Sequence, residues 1–325
     1  MSKASIAVPW RRKLFSSDAS RSLAGVFGVL VLLIAVAPLI SSALTPGLLT
    51  QSVVSLGVFT AVVAFGQFLV ILVGGLDLSI PSVMTLAGVV LTSQTIFSGG
   101  LEMVGVLLVL AMGAAIGVVN GAGIVYLRVN PIVMTLATNV VVGGAVLVYT
   151  NGTPRGTAPE GVMNATQGNL WGVIPVIAIP FAIFVSIAVV VMRTTGFSRR
   201  VYAMGSNRLV AYLSGIAVNR LTITVYAISG CVAALGGILL TGSSGMSYLT
   251  LGDPYLLLSL AAVILGGVSI SGGKGSYLAV VGGALVLMTI SIIMSATSWP
   301  QSTRQIVYAI VIIAAVIASR RSRGK

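Results

Sequence analysis

No histidine occurs among the 325 residues, and Cys231 is the one cysteine. The first absence excludes a Ser-His pair, an H-E-x-x-H zinc site and any imidazole proton relay within the chain. The second excludes an intrachain disulfide and any C-x-x-C metal or redox motif. The neighbours of Cys231 are apolar, which fits a small buried hydrophobe. Charge is scarce too. Only 7% of residues are charged, where a soluble domain carries roughly 25%, so a water-soluble fold could not cover its surface. With 5 acidic residues spread along the chain, no pair of carboxylates forms a dyad for an intramembrane hydrolase. A purely structural membrane role has as little in the sequence to favour it.

What the chain does have is apolar length: 57% of it is hydrophobic, besides 39 glycines. A helix needs about 20 mostly apolar residues to cross hydrocarbon. Such stretches lie near 23–41, 52–73, 80–97, 101–121, 131–150, 173–192, 222–242, 255–270, 275–297 and 304–319. The expected fold is therefore all-α and polytopic, with about ten transmembrane helices. The third and eighth stretches are short and rich in Ser, Thr or Gly, so one or both are expected to be broken or re-entrant. Positive charge next to a span stays on the cytoplasmic side. With the N-terminus inside, ten crossings put every one of the 18 basic residues inside except Arg155 and Arg304. Both termini are thus expected in the cytoplasm. Between Arg21 and Arg128 no basic residue occurs, and charge alone does not fix the number of crossings there. The apolar stretch after the basic start is long, and Ser41-Ser42-Ala43 makes a weak cleavage site, so the first span reads as uncleaved. The chain then divides into a basic tail (1–22), a transmembrane domain (23–319) with an outer loop (151–172) and an inner loop (193–221), and a basic tail (320–325). The basic segments read as topology anchors; a nucleic-acid surface would interleave aromatic residues.

Polar groups inside such a chain are costly and few. Asp77 lies in Gly74-Gly75-Leu76-Asp77-Leu78-Ser79-Ile80-Pro81-Ser82. Two glycines stop one helix, and Pro81 suits the first turn of the next. Asp77 or Ser79 then either caps that helix near the inner interface or takes part in gating or in contacting a partner. Gln67, Asn120 and Asn139 either line a path for a polar solute or hydrogen-bond helix to helix. A related stretch, Gly266-Gly267-Val268-Ser269-Ile270-Ser271, repeats the Gly74 to Ser79 pattern at a second break, as repeated halves of transporters do. Just after it, Gly272-Gly273-Lys274-Gly275 superficially resembles a phosphate loop. Val268 stands where a Walker A glycine is required, and Gly275 where Ser or Thr is required. A tight inner turn is the better account, and no nucleotide site is visible elsewhere.

The inner loop holds Gly205, Asn207, Ala211, Ser214, Gly215 and Ile216. Residues 207–214 can form a short helix capped by Asn207 and ended by Ser214-Gly215, with Leu209, Val210, Ala211 and Leu213 along it. Such a helix is a connector, or a ball fitting a socket on a cytoplasmic motor.

Taken together, these stretches resemble the permease subunit of bacterial ribose-type (monosaccharide) importers of the ATP-binding cassette class. Members carry G-G-x-D-L-S-V-G-S, matched from Gly74 to Ser82 apart from Ile80 and Pro81. An N-G followed by P-F-I-x-T-L appears as Asn120-Gly121 and, without the Phe, Pro131-Ile132-Val133-Met134-Thr135-Leu136. The inner-loop pattern G-x-N-x-x-A-A-x-x-S-G-I is matched by Gly205, Asn207, Ala211, Ser214, Gly215 and Ile216, with Val210 for the first Ala and Arg208 at an often acidic position. A later G-G-x-S-x-x-G-G-x-G-S is matched by Gly266, Gly267, Ser269, Gly272, Gly273, Gly275 and Ser276. The resemblance runs from about residue 50 to 320.

It implies a transport subunit rather than an enzyme, in the bacterial inner membrane. The partners would be a second permease subunit, identical or paralogous, a cytoplasmic ATPase and a periplasmic solute-binding protein. This chain would hold no cofactor, with ATP and Mg on the ATPase. Residues 205–216 would dock on that ATPase. Gly74, Gly75, Asp77, Ser79, Gly266, Gly267, Gly272 and Gly273 would form breaks or gates, and Gln67, Asn120 and Asn139 would be candidates for the solute path. A monosaccharide is the expected solute, with a nucleoside, polyol or autoinducer-type furanone as alternatives within the family. A stand-alone secondary transporter or channel is the rival outside it.

Overall fold

Proline sets several of the helix starts. Pro46, Pro81, Pro131 and Pro254 each stand in the first two positions of a helix, where the missing N–H costs nothing and φ is already helical. Thr45 and Asn130 complete two of these starts by accepting the amides of Leu48 and Ile132. The computed structural model describes residues 17–93 and 102–321. Its helices are α1 (Ser17–Ile40), α2 (Pro46–Leu72), α3 (Ile80–Leu91), α4 (Glu102–Tyr126), α5 (Pro131–Thr150) and α6 (Glu160–Thr166). A two-stranded hairpin follows, β1 (Asn169–Leu170) and β2 (Ile174–Pro175). Then come α7 (Ala178–Thr194), α8 (Gly196–Ser206), α9 (Arg208–Leu213), α10 (Val218–Ser244), α11 (Asp253–Leu265), α12 (Tyr277–Ala296) and α13 (Gln301–Arg321).

Apart from the short hairpin the fold is helical, as expected, and each of the ten apolar stretches carries a helix. The number of crossings is a separate matter. Among the described residues, six helices are long and apolar enough to span a membrane, or seven if α7 and α8 count as one span bent by 68°. At 12 and 13 residues, α3 and α11 reach about 18 to 20 Å, short of a hydrocarbon core of about 30 Å. These are the third and eighth stretches, the two expected to be broken. The basic tail expected over 1–22 falls outside the described residues as far as 16, and from Ser17 the chain is already helical.

α2 runs through the middle of the bundle, with 83% of its apolar stretch buried, whereas only 11% of α5 is buried. Its sequence explains the position: it is apolar on every side, so no face prefers water. Phe65 of α2 meets Tyr277 of α12 edge-on, Phe68 meets it at a tilt, and Phe184 of α7 closes the cluster. α4 lies against α10 along a seam of Gly113, Gly117 and Gly121. A Cβ on Gly113 would come 2.5 Å from Gly230 O, and one on Gly117 would collide with Tyr226 O. Small residues one turn apart let the two backbones touch, the packing that works where lipid supplies no hydrophobic drive.

Candidate functional site

The break between α2 and α3 lies inside the bundle, not at its edge. α2 ends in a Schellman turn: Gly75 N donates to Val70 O and Gly74 N to Ile71 O, both at 2.9 Å, with Gly74 at φ +82. The chain then turns back along α2. Asp77 Oδ2 accepts from the Ser229 hydroxyl of α10 at 2.7 Å, and Ser229 Cα stands 2.9 Å from where a Cβ on Gly66 would be. Asp77 is therefore level with Gly66, about 9 Å short of the end of α2.

Around this carboxylate a buried network joins five segments. Asp77 Oδ1 accepts from the amide of Ser79 at 3.0 Å and from its hydroxyl at 2.6 Å. Asn120 of α4 donates to Ser79 Oγ at 2.9 Å, and its carbonyl accepts from Thr138 of α5 at 2.6 Å. Asn139 Oδ1 accepts from the amide of Ser82 at 3.1 Å. The Tyr226 hydroxyl donates to Leu76 O at 3.4 Å. Three donors converge on Asp77, which is how a buried carboxylate is satisfied without a basic partner.

This corrects the capping expectation. Asp77 bonds the amide of the N-cap residue Ser79, not an amide of the first helical turn, and the Ser79 side chain caps nothing. The α3 amide at Ser82 is bonded from another helix, by Asn139. The physical reason is depth: a break inside the bundle has helices on every side to supply the oxygen. Asn120 and Asn139 both act helix to helix here. Gln67, beside Gly66, has its Oε1 buried with no hydrogen-bond partner among the described residues.

A second convergence lies at the end of α2. Gly273 N donates to Leu72 O at 3.0 Å. A Cβ on Gly205, in α8, would collide with the same oxygen, and one on Gly272 would come 3.0 Å from Gly205 O. Gly272 and Gly273 have φ of +83 and +71, within a turn closed by Ser269 N donating to Lys274 O at 2.9 Å. Tyr202 of α8 donates to Gly275 O at 2.8 Å. Three segments far apart in the chain thus meet backbone to backbone. The second glycine pair repeats the first in geometry: Gly267 at φ +76 ends α11, with Val268 N donating to Val263 O at 3.2 Å. The left-handed residue is the second glycine here and the first at Gly74-Gly75, so the echo is offset by one position.

From this junction α9 projects as a knob. Asn207 Oδ1 accepts the amide of Val210 at 3.0 Å, and Gly215 turns the chain away at φ +80. Leu209, Val210, Tyr212 and Leu213 are exposed, whereas Ala211 is buried and holds the knob to its base. At the opposite end of the bundle, an open cleft of about 330 Å³ is lined by residues including Ser93, Tyr149, Asn151 and Arg155.

Residues 49–316 match the family described as "Branched-chain amino acid transport system / permease component". The chain belongs to that family. Relatives include the ribose import permease protein RbsC of Bacillus subtilis (strain 168), 33% identical over 78% of this chain and 79% of that protein. RbsC of Escherichia coli (strain K12) is 34% identical over 63% of this chain and 64% of its own length. The autoinducer 2 import system permease protein LsrD of Salmonella paratyphi B is 31% identical over 62% of each. No solved structure matches the chain. In this permease, then, the residues singled out from sequence fall into three places. Gly74, Gly75, Asp77, Ser79, Asn120 and Asn139 gather at the inner break. Gly205, Gly272 and Gly273 gather at the end of α2, with Gly266 and Gly267 one turn away at the end of α11. Asn207, Ser214, Gly215 and Ile216 frame the knob. Sequence reasoning missed Ser229, Thr138 and Leu72, ordinary residues in apolar helices that nothing local distinguishes.

Proposed function

We propose that this chain is the membrane permease subunit of a bacterial inner-membrane importer of the ATP-binding cassette class. It carries a small, uncharged, hydroxyl-rich solute inward, a ribose-type monosaccharide in the first instance. Two permease subunits, cytoplasmic ATPases holding ATP and Mg, and a periplasmic solute-binding protein complete the machine. Binding-protein docking outside and ATPase closure inside bias the helices between two packings, which is alternating access.

The observation that carries this reading is α9. A helix of four exposed apolar side chains, on a base fixed by backbone contact to the ends of α2 and the 266–276 turn, suits a cytoplasmic partner that pushes. Ten crossings with both termini inside fit the contacts between loops. Leu72, Gly205 and Gly273 meet at one end. At the other, Ala158 N donates to Gly245 O, Thr92 pairs with Ser247, and Gly161 N donates to Glu102. Within this scheme α3 with residues 73–79, and α11 with the turn after it, each make up one broken crossing.

The test is uptake in proteoliposomes. Labelled ribose should enter only with ATPase, ATP and the ribose-loaded binding protein present, and a branched-chain amino acid should not compete. Uptake by the permease alone would overturn the mechanism in favour of a secondary transporter or channel. The relation to LsrD favours one second reading, a furanone-type autoinducer as solute. Retention of that ligand, and not ribose, by the partner binding protein would select it.

A further inference from the structure

The turn between β1 and β2 holds a large residue in a backbone conformation that its side chain disfavours. Val173 N donates to Leu170 O at 3.1 Å, and the residues between them, Trp171 and Gly172, are both left-handed, with φ of +49 and +73. Tight hairpins with this pattern favour Asn-Gly or Asp-Gly, because a large side chain disfavours positive φ. Here the first position holds a tryptophan, and it is 87% exposed. Val173 and Ile174 beside it are exposed as well, while Pro175 and Ile177 are buried and fix the hairpin to the bundle. A strained residue that also presents a bare indole points outward to something that receives it.

The surroundings indicate what that is. α7 starts three residues after β2, and its Ile179, Ile183, Ile187 and Val190 are exposed at helical spacing along one face. That is an apolar stripe suited to lipid, and the exposed hairpin tip immediately precedes it in the chain. No charged residue occurs between Glu160 and Arg193, and the exposed polar side chains nearby, Asn164, Gln167 and Asn169, precede the tip rather than form part of it. Tryptophan suits the level between headgroups and acyl chains, where its ring is apolar and its N–H finds an acceptor. We propose that the 169–175 hairpin is an interfacial anchor, with Trp171, Val173 and Ile174 seated in the outer boundary of a phospholipid bilayer. It fixes the depth at which α7 enters.

The test uses Trp171 as its own probe. The other two tryptophans are replaced (Trp10→Phe, Trp299→Phe), and the full chain is reconstituted into phosphatidylcholine–phosphatidylglycerol vesicles. Emission should be blue-shifted, protected from aqueous acrylamide, and quenched more by lipids brominated near the headgroup than by those brominated near the chain end. If the double variant does not fold, the difference spectrum between the unsubstituted protein and Trp171→Phe gives the same readings. Water-like emission quenched by acrylamide would overturn the proposal. So would quenching as strong from the chain-end bromines, or shielding that appears only when a periplasmic binding protein is added. Neither solute nor ATP enters the readout, so failure of the transport reading would leave this result unaffected.

Discussion

Asp77 is satisfied as an acceptor three times over, by the amide and hydroxyl of Ser79 and by the hydroxyl of Ser229. An asparagine there keeps one acceptor oxygen for Ser79, and its NH2 group meets the Ser229 hydroxyl, which must turn round to accept from it. Asp77→Asn should therefore cost about 1–3 kcal/mol, up to the penalty of a buried donor left without a partner. The unfolding midpoint in detergent should fall accordingly. Ser229→Ala removes a single donor and leaves the other two in place, so its loss should be smaller, about 1 kcal/mol. A larger loss for Ser229→Ala than for Asp77→Asn would mean that the carboxylate is not the hub. Gln67 presents the reverse case, a buried oxygen with no partner among the described residues. Gln67→Met keeps most of the volume and deletes that orphan, which should raise stability by about 1 kcal/mol. Ribose uptake measured on the same variant decides between the two readings of this residue. A fall in uptake despite higher stability places the amide on the solute path; unchanged uptake leaves it a packing residue.

At the scale of elements, α9 was readable from residues 207–215 alone. Asn207 supplies the cap, Ser214-Gly215 the stop, and the interior is apolar; all of that is local chemistry. Which of its side chains face outward was not readable, because the rotation is set by contacts with the base. Ala211 matched the family motif and turns out to be buried. A charge at Ala211 should therefore unseat the knob, whereas Leu209→Asp or Tyr212→Asp should leave it folded and spoil only the surface offered to the ATPase. Co-purification with the ATPase should be lost in the latter two, with insertion and detergent stability unchanged; normal co-purification would make α9 a connector. The start of α3 shows the opposite limit. Its capping oxygen comes from Asn139, 57 residues along the chain, and no local pattern around Ser79 could have named it. The short length of α3 and α11 was legible, since Gly, Ser and Pro punctuate both stretches, but the doubling back that puts Asp77 beside Gly66 was not.

Across the whole molecule, contacts between loops join like with like. Segments 72–79, 205–206 and 272–275 touch one another, and segments 92–93, 158–161 and 245–247 join their own neighbours at the other end. Charge patterning sorts only two of these segments, because Arg193, Arg199, Arg200, Arg208, Arg220 and Lys274 flank 205–206 and 272–275, while no basic residue lies near 72–79 or 92–93. Charge and packing thus agree in grouping 205–206 with 272–275, and packing alone adds 72–79 to them. Reporter fusions turn this into a constrained prediction. Fusions after residues 160 and 248 should be active only with an outside-active enzyme such as alkaline phosphatase. Fusions after 206, 274 and 325 should be active only with an inside-active fluorescent protein. The results at 206 and 274 are not free to differ, because a Cβ on Gly273 would lie 2.7 Å from Ser206 N. If those two disagreed, the junction beneath α2 could not exist. If they agreed but read outside, the knob would face away from any ATPase, and the basic residues around it would break the positive-inside rule together.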